Sequence, residues 1–156
     1  MLEITYEERL PSPTDYLRLR EAVGWRNVAV EAVIRGLAGT LYGVCALDHE
    51  KVVGMARIIG DGFLAFYIQD VVVDPEYQGQ GIGSGLMERV MAYIAAHASE
   101  NTVIGLMSAV GKEGFYRRYG FVQRPNDRHG CGMTMHWKRD PSQERLMVTF
   151  NGKLWA

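Results

Sequence analysis

Two stretches of the chain carry residues whose types and spacing can do chemistry. The first, DPEYQGQGIGSG at residues 74–85, has glycine at 79, 81, 83 and 85. It follows the apolar run YIQDVVV and precedes the apolar-periodic LMERVMAYIAAHA, so the glycines fall where a strand hands over to a helix. The first amides of such a helix have no acceptor within it and point outward with the positive end of the helix dipole. Without β-carbons at Gly79, Gly81 and Gly83, an anion such as a pyrophosphate can touch those amides directly. A turn that only glycine can make gives the same pattern with no ligand. The second stretch is FLAFYIQDVVV, whose only carboxylate is Asp70. An acid in an apolar strand is costly unless it has a partner or a task. Asp70 is a candidate general base, acting through water; equally, it pairs with a buried arginine or caps a bulge. Strict alternation sets it opposite Gln69 and Val71, and a bulge would reset that phase.

Counting excludes two phosphate-binding motifs. A P-loop closes on Gly-Lys-Ser/Thr, and the segment has no lysine. The dinucleotide fingerprint GxGxxG needs a third glycine at 84 or 86, where Ser84 and Leu86 stand. His129, Cys131 and His136 invite a metal, but alternation in GCGMTMHW sends 131 and 136 to opposite faces, so no metal site is expected.

The elements that must position these residues follow from periodicity. Residues 2–8 alternate as a first strand, and LPSPT caps a helix from Pro13 to about Gly24. NVAVEAVIRGL reads as a second helix with Val30, Val33, Ile34 and Leu37 on one stripe. TLYGVCAL and KVVGMARII flank the turn DHEK as a hairpin, and FLAFYIQDVVV is a long central strand. Ile82, Leu86, Val90, Ile94 and Ala98 mark one face of the helix after the glycines. TVIGLMSA is a buried strand, KEGFYRRY a short helix ended by Gly120, and FVQRP and GMTMHWK finish the sheet. The order β-α-α-β-β-β-α-β-α-β-β is an α/β fold, a mixed sheet with helices on its faces. One domain is expected over residues 1–140. Residues 141–156 form a C-terminal extension in which MVTF is a candidate edge strand, or which packs on a partner.

Gln78-Gly79-Gln80-Gly81-Ile82-Gly83 resembles the Gln/Arg-x-x-Gly-x-Gly/Ala signature of the GNAT (Gcn5-related) N-acetyltransferase superfamily. Phe115-Tyr116-Arg117-Arg118-Tyr119-Gly120-Phe121 is similar to its second signature, and the element order over residues 2–138 is the family's. The resemblance implies a fold that binds acetyl-CoA, with the pyrophosphate on backbone amides from Gln78 to Ser84, Gln80 and Ile82 among them. It implies that Val71, Val72 and Val73 meet the pantetheine arm and that Phe115 lies at the cofactor. It assigns to Tyr116 the proton donor for the departing thiolate, a task a phenol can perform. Helical phase agrees, since Phe115 and Tyr119 share a face and Tyr116 points about 100° away; a packed aromatic with a surface hydroxyl is the plainer alternative. Lys112 shares the Tyr116 face and is a candidate phosphate contact. The Asn that the family often has before its Phe-Tyr pair is missing from SAVGKEG. Trp25, Tyr67 and Gln69 are candidates for an acceptor pocket, though packing explains the aromatics as well.

Bulk properties narrow the partners. The 156 residues suit one domain, and 47% apolar with 22% charged residues is an ordinary globular balance. A net charge of −1 gives no support for nucleic-acid binding. The start MLEITYEERL has no secretory pattern, and no apolar run reaches membrane-span length. The two cysteines, Cys45 and Cys131, form no CxxC unit, which suits free thiols and a reducing cytoplasm. The expectation is a metal-independent N-acetyltransferase using acetyl-CoA on a primary amine of a small molecule or peptide, in a ternary complex. The alternative is a non-catalytic acyl-CoA-binding or sensor domain. Monomer and homodimer are both allowed.

Overall fold

In the computed structural model, β1 (Ile4–Glu7), β2 (Tyr42–Asp48) and β3 (Lys51–Gly60) pair antiparallel, and β4 (Ala65–Val73) continues antiparallel to β3. β5 (Val103–Leu106) runs parallel to β4, which requires a crossover; α3 (Ile82–His97) provides it. The result is one five-stranded mixed sheet in the order β1-β2-β3-β4-β5. The structure describes residues 3–137, 149–150 and 153–154. The chain divides into two compact units, Met1–Phe121 and Val122–Ala156.

Within the first unit, α1 (Pro13–Ala22) starts where Ser12 accepts a hydrogen bond from the Asp15 amide at 3.1 Å and proline fills the first turn. It stops before Gly24, whose φ of +76° only glycine adopts readily. α2 (Val30–Ala38) buries Val33 and Leu37 but leaves Val30 and Ile34 about half exposed, so the expected four-residue stripe is only half used. α3 packs Ile82, Leu86, Met87, Val90 and Ile94 against Val44, Val53, Ile58, Phe66 and Ile68 on one face of the sheet. On the other face Tyr16 and Leu19 of α1 and Val33 and Leu37 of α2 meet Cys45, Leu47, Val52, Met55 and Val72. Burying each of the larger apolar side chains stabilises by about 1.5–3 kcal/mol, so the sheet is held from both sides.

The mixed sheet with helices on both faces is the expected fold class, but the last two expected strands are absent among the described residues. FVQRP and GMTMHWK carry no strand among the described residues. Pro125 offers no amide to a ladder, and Asn126 Oδ1 accepts from the Arg128 and His129 amides, closing a tight turn instead. Val122, Met133, Met135 and Trp137 are each at least three-quarters exposed, so the alternation of MTMHW has no buried face to stabilise it. β5, expected to be buried, is short and leaves Val103 exposed. In the tail, β6 (Thr149–Phe150) pairs with β7 (Lys153–Leu154) in a separate two-stranded sheet, whereas Met147 and Val148 of the expected edge strand lie outside the described residues.

Candidate active site

The glycine segment is anchored before it turns. The Asp74 amide donates to the Val53 carbonyl at 2.8 Å, and its carboxylate accepts from the Glu76 amide, starting a single 3-10 turn at Pro75–Tyr77. Tyr77 Oη donates to Asp48 at 2.9 Å, and Gln78 Nε2 donates to the Val73 carbonyl at 3.0 Å. Gly79 and Gly81 then take φ of +77° and +80°, the left-handed region that disfavours side chains. Gly81 is the N-cap of α3 and has no side chain to satisfy the helix's first amides. Of the remaining two glycines, Gly85 has a packing reason, since a Cβ there would collide with the Tyr6 hydroxyl, whereas a Cβ at Gly83 would make an ordinary contact 3.5 Å from the Phe115 ring.

β4 carries a bulge just before this turn. Its register with β3 jumps from Arg57↔Gln69 to Met55↔Val72, so Asp70 and Val71 together face the single residue Ala56. Asp70 adopts φ +56°, and its side chain is fully buried on the side of α1 and α2. Gln69 faces Arg57 directly across the ladder, so the bulge puts Gln69 and Asp70 on one face, against simple alternation. Three donors converge on the Asp70 carboxylate: Tyr16 Oη at 2.8 Å, Arg57 Nε at 2.7 Å and Arg20 Nη1 at 2.7 Å. Burial, then the Asp70 charge, push the Tyr16 phenol above its usual value, which keeps it a donor. Trp25 stands beside this cluster, with the Arg20 guanidinium 5.4 Å from its ring. Tyr67, half-buried, precedes it on β4.

The sheet opens beyond the bulge. β5 pairs with β4 only from Ala65 to Ile68, so Gln69–Val73 have no partner on that side among the described strands. Val72 is buried, while Val71 and Val73 are half-buried and pack with the α3 core. Next to this edge stands α4 (Glu113–Arg117), with Lys112 exposed at its N-cap. The Gly83 position lies near both the Phe115 ring and Val73 Cγ2, so the ends of β4, α3 and α4 meet at one point. Tyr116 is half-buried, edge-on to Phe115 at 5.0 Å and to Phe121 at 6.4 Å, rather than pointing freely away from the Phe115 and Tyr119 stripe. Its burial raises the phenol above its ordinary value, so the hydroxyl holds its proton at neutral pH.

Tyr16, Arg20 and Arg57 were not foreseen as site residues. A signal existed for Arg57, a charge flanked by buried residues in KVVGMARII, as Asp70 is in its own strand. Among the described residues no three His, Cys, Asp or Glu side chains cluster as for a metal. None of the described helices is long and apolar enough to cross a membrane.

A family model described as an acetyltransferase (GNAT) domain matches residues 39–123, more than half of the chain. A Staphylococcus aureus protein of known structure is 32% identical, with a TM-score of 0.81, covering 86% of this chain and all of that one. A GNAT family acetyltransferase from Streptococcus pneumoniae is 33% identical, with a TM-score of 0.71, covering 88% of this chain and all of its own. An uncharacterised ycf52-like N-acetyltransferase of Prochlorococcus marinus is 30% identical over 112 residues, 69% of this chain and 61% of its own length. Across eight of the curated relatives that match, the chain spans 30 to 64% of their lengths.

Proposed function

The chain belongs to the GNAT acetyltransferase family, and from that membership we propose that it transfers the acetyl group of acetyl-CoA to a primary amine of a small molecule or peptide. One observation carries the reading: among the described residues, the uncapped start of α3, the unpaired edge of β4 and the Phe115 ring, with Tyr116 edge-on to it, converge beside Gly83. These groups fit acetyl-CoA by chemistry. The amides from Gly79 to Ser84 suit a pyrophosphate. The backbone groups that Gln69–Val72 present on the side without a strand partner among the described residues suit an extended arm containing amides. Bound there, the cofactor supplies an activated acyl thioester.

The chain's own residues have separable tasks. The β4 edge and the α3 amides bind and orient, fixing the reacting carbonyl near Tyr116. Tyr116 Oη holds a proton for the departing sulfur, a role its burial favours by keeping it protonated. Asp70, buried under three donors, acts as a positioning residue: it fixes the bulge, and through it the angle of the β4 edge. The acceptor amine then sheds its proton to water. Two free cysteines suit a reducing compartment, and we take the cytoplasm as the site of action.

The test is calorimetric titration with acetyl-CoA, followed by thiol release across a panel of primary amines. Binding with turnover of at least one amine is expected. Binding with no turnover of any amine would make the chain a sensor, and no binding would overturn the reading altogether.

A further inference from the structure

Two guanidiniums share one carboxylate in the Asp70 cluster. Arg20 and Arg57 are only 16% and 15% exposed, so one surplus positive charge is held largely away from water. Arg20 Nη2 donates to the Arg26 carbonyl, and Arg57 Nη1 donates to Thr40 Oγ1 at 3.1 Å. Both acceptors are neutral and spread the charge without cancelling it. Arg20 Nε is, among the described residues, a buried side-chain nitrogen with no partner. Such an excess is unfavourable unless an anion offsets it.

Arg57 also lines a cavity of about 130 Å³ between α1, α2 and β3. Around it stand Tyr16, Val28, Ala32, Val33 and Leu37, and none of the lining residues is an acid. A guanidinium has five N–H groups, and Arg57 uses one on Nε and one on Nη1. One hydrogen on Nη1 and those on Nη2 remain for an end-on, two-point contact, the geometry a planar carboxylate fits. Arg57 faces Gln69 across the ladder, one residue before the bulge that ends at the free β4 edge. A second ammonium on the acceptor would find no lining carboxylate, and Asp70 already serves two arginines.

We propose that the acceptor is an amino acid, a compact molecule with a primary amine and a carboxylate, and that Arg57 holds the carboxylate in this cavity while Val28, Val33 and Leu37 receive its apolar part. The proposal rests on the acetyltransferase reading and narrows its substrate class. It also gives a use to Val28, an apolar residue just before α2 that is 55% exposed at the cavity. Diamines and polyamines are disfavoured acceptors for the same electrostatic reason.

The experiment compares amino acids with their own carboxamides as acceptors at saturating acetyl-CoA. The amide's amine is the less basic and offers more free base at neutral pH, so intrinsic reactivity runs against the proposal. A kcat/KM for the acid about tenfold or more above its amide is expected, the size of a charge-assisted hydrogen bond. Equal or better use of the amide overturns the proposal. Ala32→Leu, at an exposed helix position, fills the cavity; the acceptor KM should rise about tenfold or more while acetyl-CoA affinity stays unchanged. An unchanged KM overturns it too. If acetyl-CoA binds but no amine is turned over, the acetyltransferase reading fails, and the anion site is judged separately by the Arg57 ¹⁵Nε resonance. Propionate should move that resonance in the wild type, and propionamide should not; Ala32→Leu should abolish the response. No movement with propionate overturns the site.

Discussion

Tyr116, half-buried on α4, and Asp70, buried on β4, are polar residues whose surroundings give them opposite parts. Tyr116 is bordered by the Phe115 and Phe121 rings, and desolvation alone raises its phenol. Tyr116→Phe removes one hydroxyl and little volume, so acetyl-CoA affinity should hold while kcat falls about 100- to 10,000-fold, the usual worth of a general acid. A kcat within about threefold of wild type removes Tyr116 from the chemistry. The pH dependence has a definite sign. Because the folded pKa is raised, the proton is present throughout the neutral range, and its loss begins only above the ordinary phenol value of about 10. The same shift stabilises the fold below that value and loses its contribution as pH rises through the folded pKa. The alkaline limb of the rate profile should therefore lie above pH 10 when thiol release is followed, and Tyr116→Phe should remove it.

At the level of elements, the bulge and the glycine turn have different supports. Asp70→Asn keeps the shape but removes the countercharge of two buried guanidiniums, which should cost about 3–5 kcal/mol in urea unfolding. If Asp70 only positions the strand, the acid limb of the pH–rate profile stays where it was; a moved limb would make it the base. Gly85→Ala places a methyl against the Tyr6 hydroxyl where α3 lies on β1, and should destabilise by about 1–3 kcal/mol. The penalty should shrink in a Tyr6→Ala background, and full additivity of the two changes would mean that the contact is not the cause. Both effects bear on what was legible beforehand. The strand-to-helix handover could be read because left-handed backbone at Gly79 and Gly81 leaves a direct mark on residue choice. Gly85 carries no such mark, since its reason is a tyrosine on β1. Asp70 stood out as an acid in an apolar strand, but its partners come from α1 and β3 and only folding brings them together. The missing strands after Phe121 were misread because alternation records only that a strand is possible, not that a neighbour exists to pair with it.

The unit Met1–Phe121 joins a sheet stabilised from both faces to a corner where, among the described residues, β4 has no neighbouring strand beyond Ile68 and α3 has no side-chain cap. Ligand binding should act there first. At acetyl-CoA concentrations of about 100 times Kd, linkage adds about 2.7 kcal/mol, visible as a rise of a few degrees in Tm. Amide exchange should slow at Gln69–Val73 and between Gly79 and Ser84, with the hairpin of β2 and β3 unaffected. Protection spread evenly over the sheet would place the ligand elsewhere. The family-level architecture could be read from the order of elements because two glycine-bearing signatures are spaced by a helix and a strand. The acceptor side could not, because its charge depends on how Arg20 and Arg57 divide one carboxylate.

The stretch of β4 left without a neighbouring strand among the described residues also bears on solubility. A row of free N–H and C=O groups at a strand edge is a template on which another chain can add itself, the first step toward aggregates and fibrils. Such growth needs a straight, flat strand. The bulge at Asp70 kinks and twists β4 where its edge becomes free, so an incoming strand would lose register within a few residues. The cluster of Tyr16, Arg20 and Arg57 that fixes this kink therefore also protects the protein from itself. Loosening it should show as turbidity on storage without ligand, with acetyl-CoA suppressing the growth by occupying the edge.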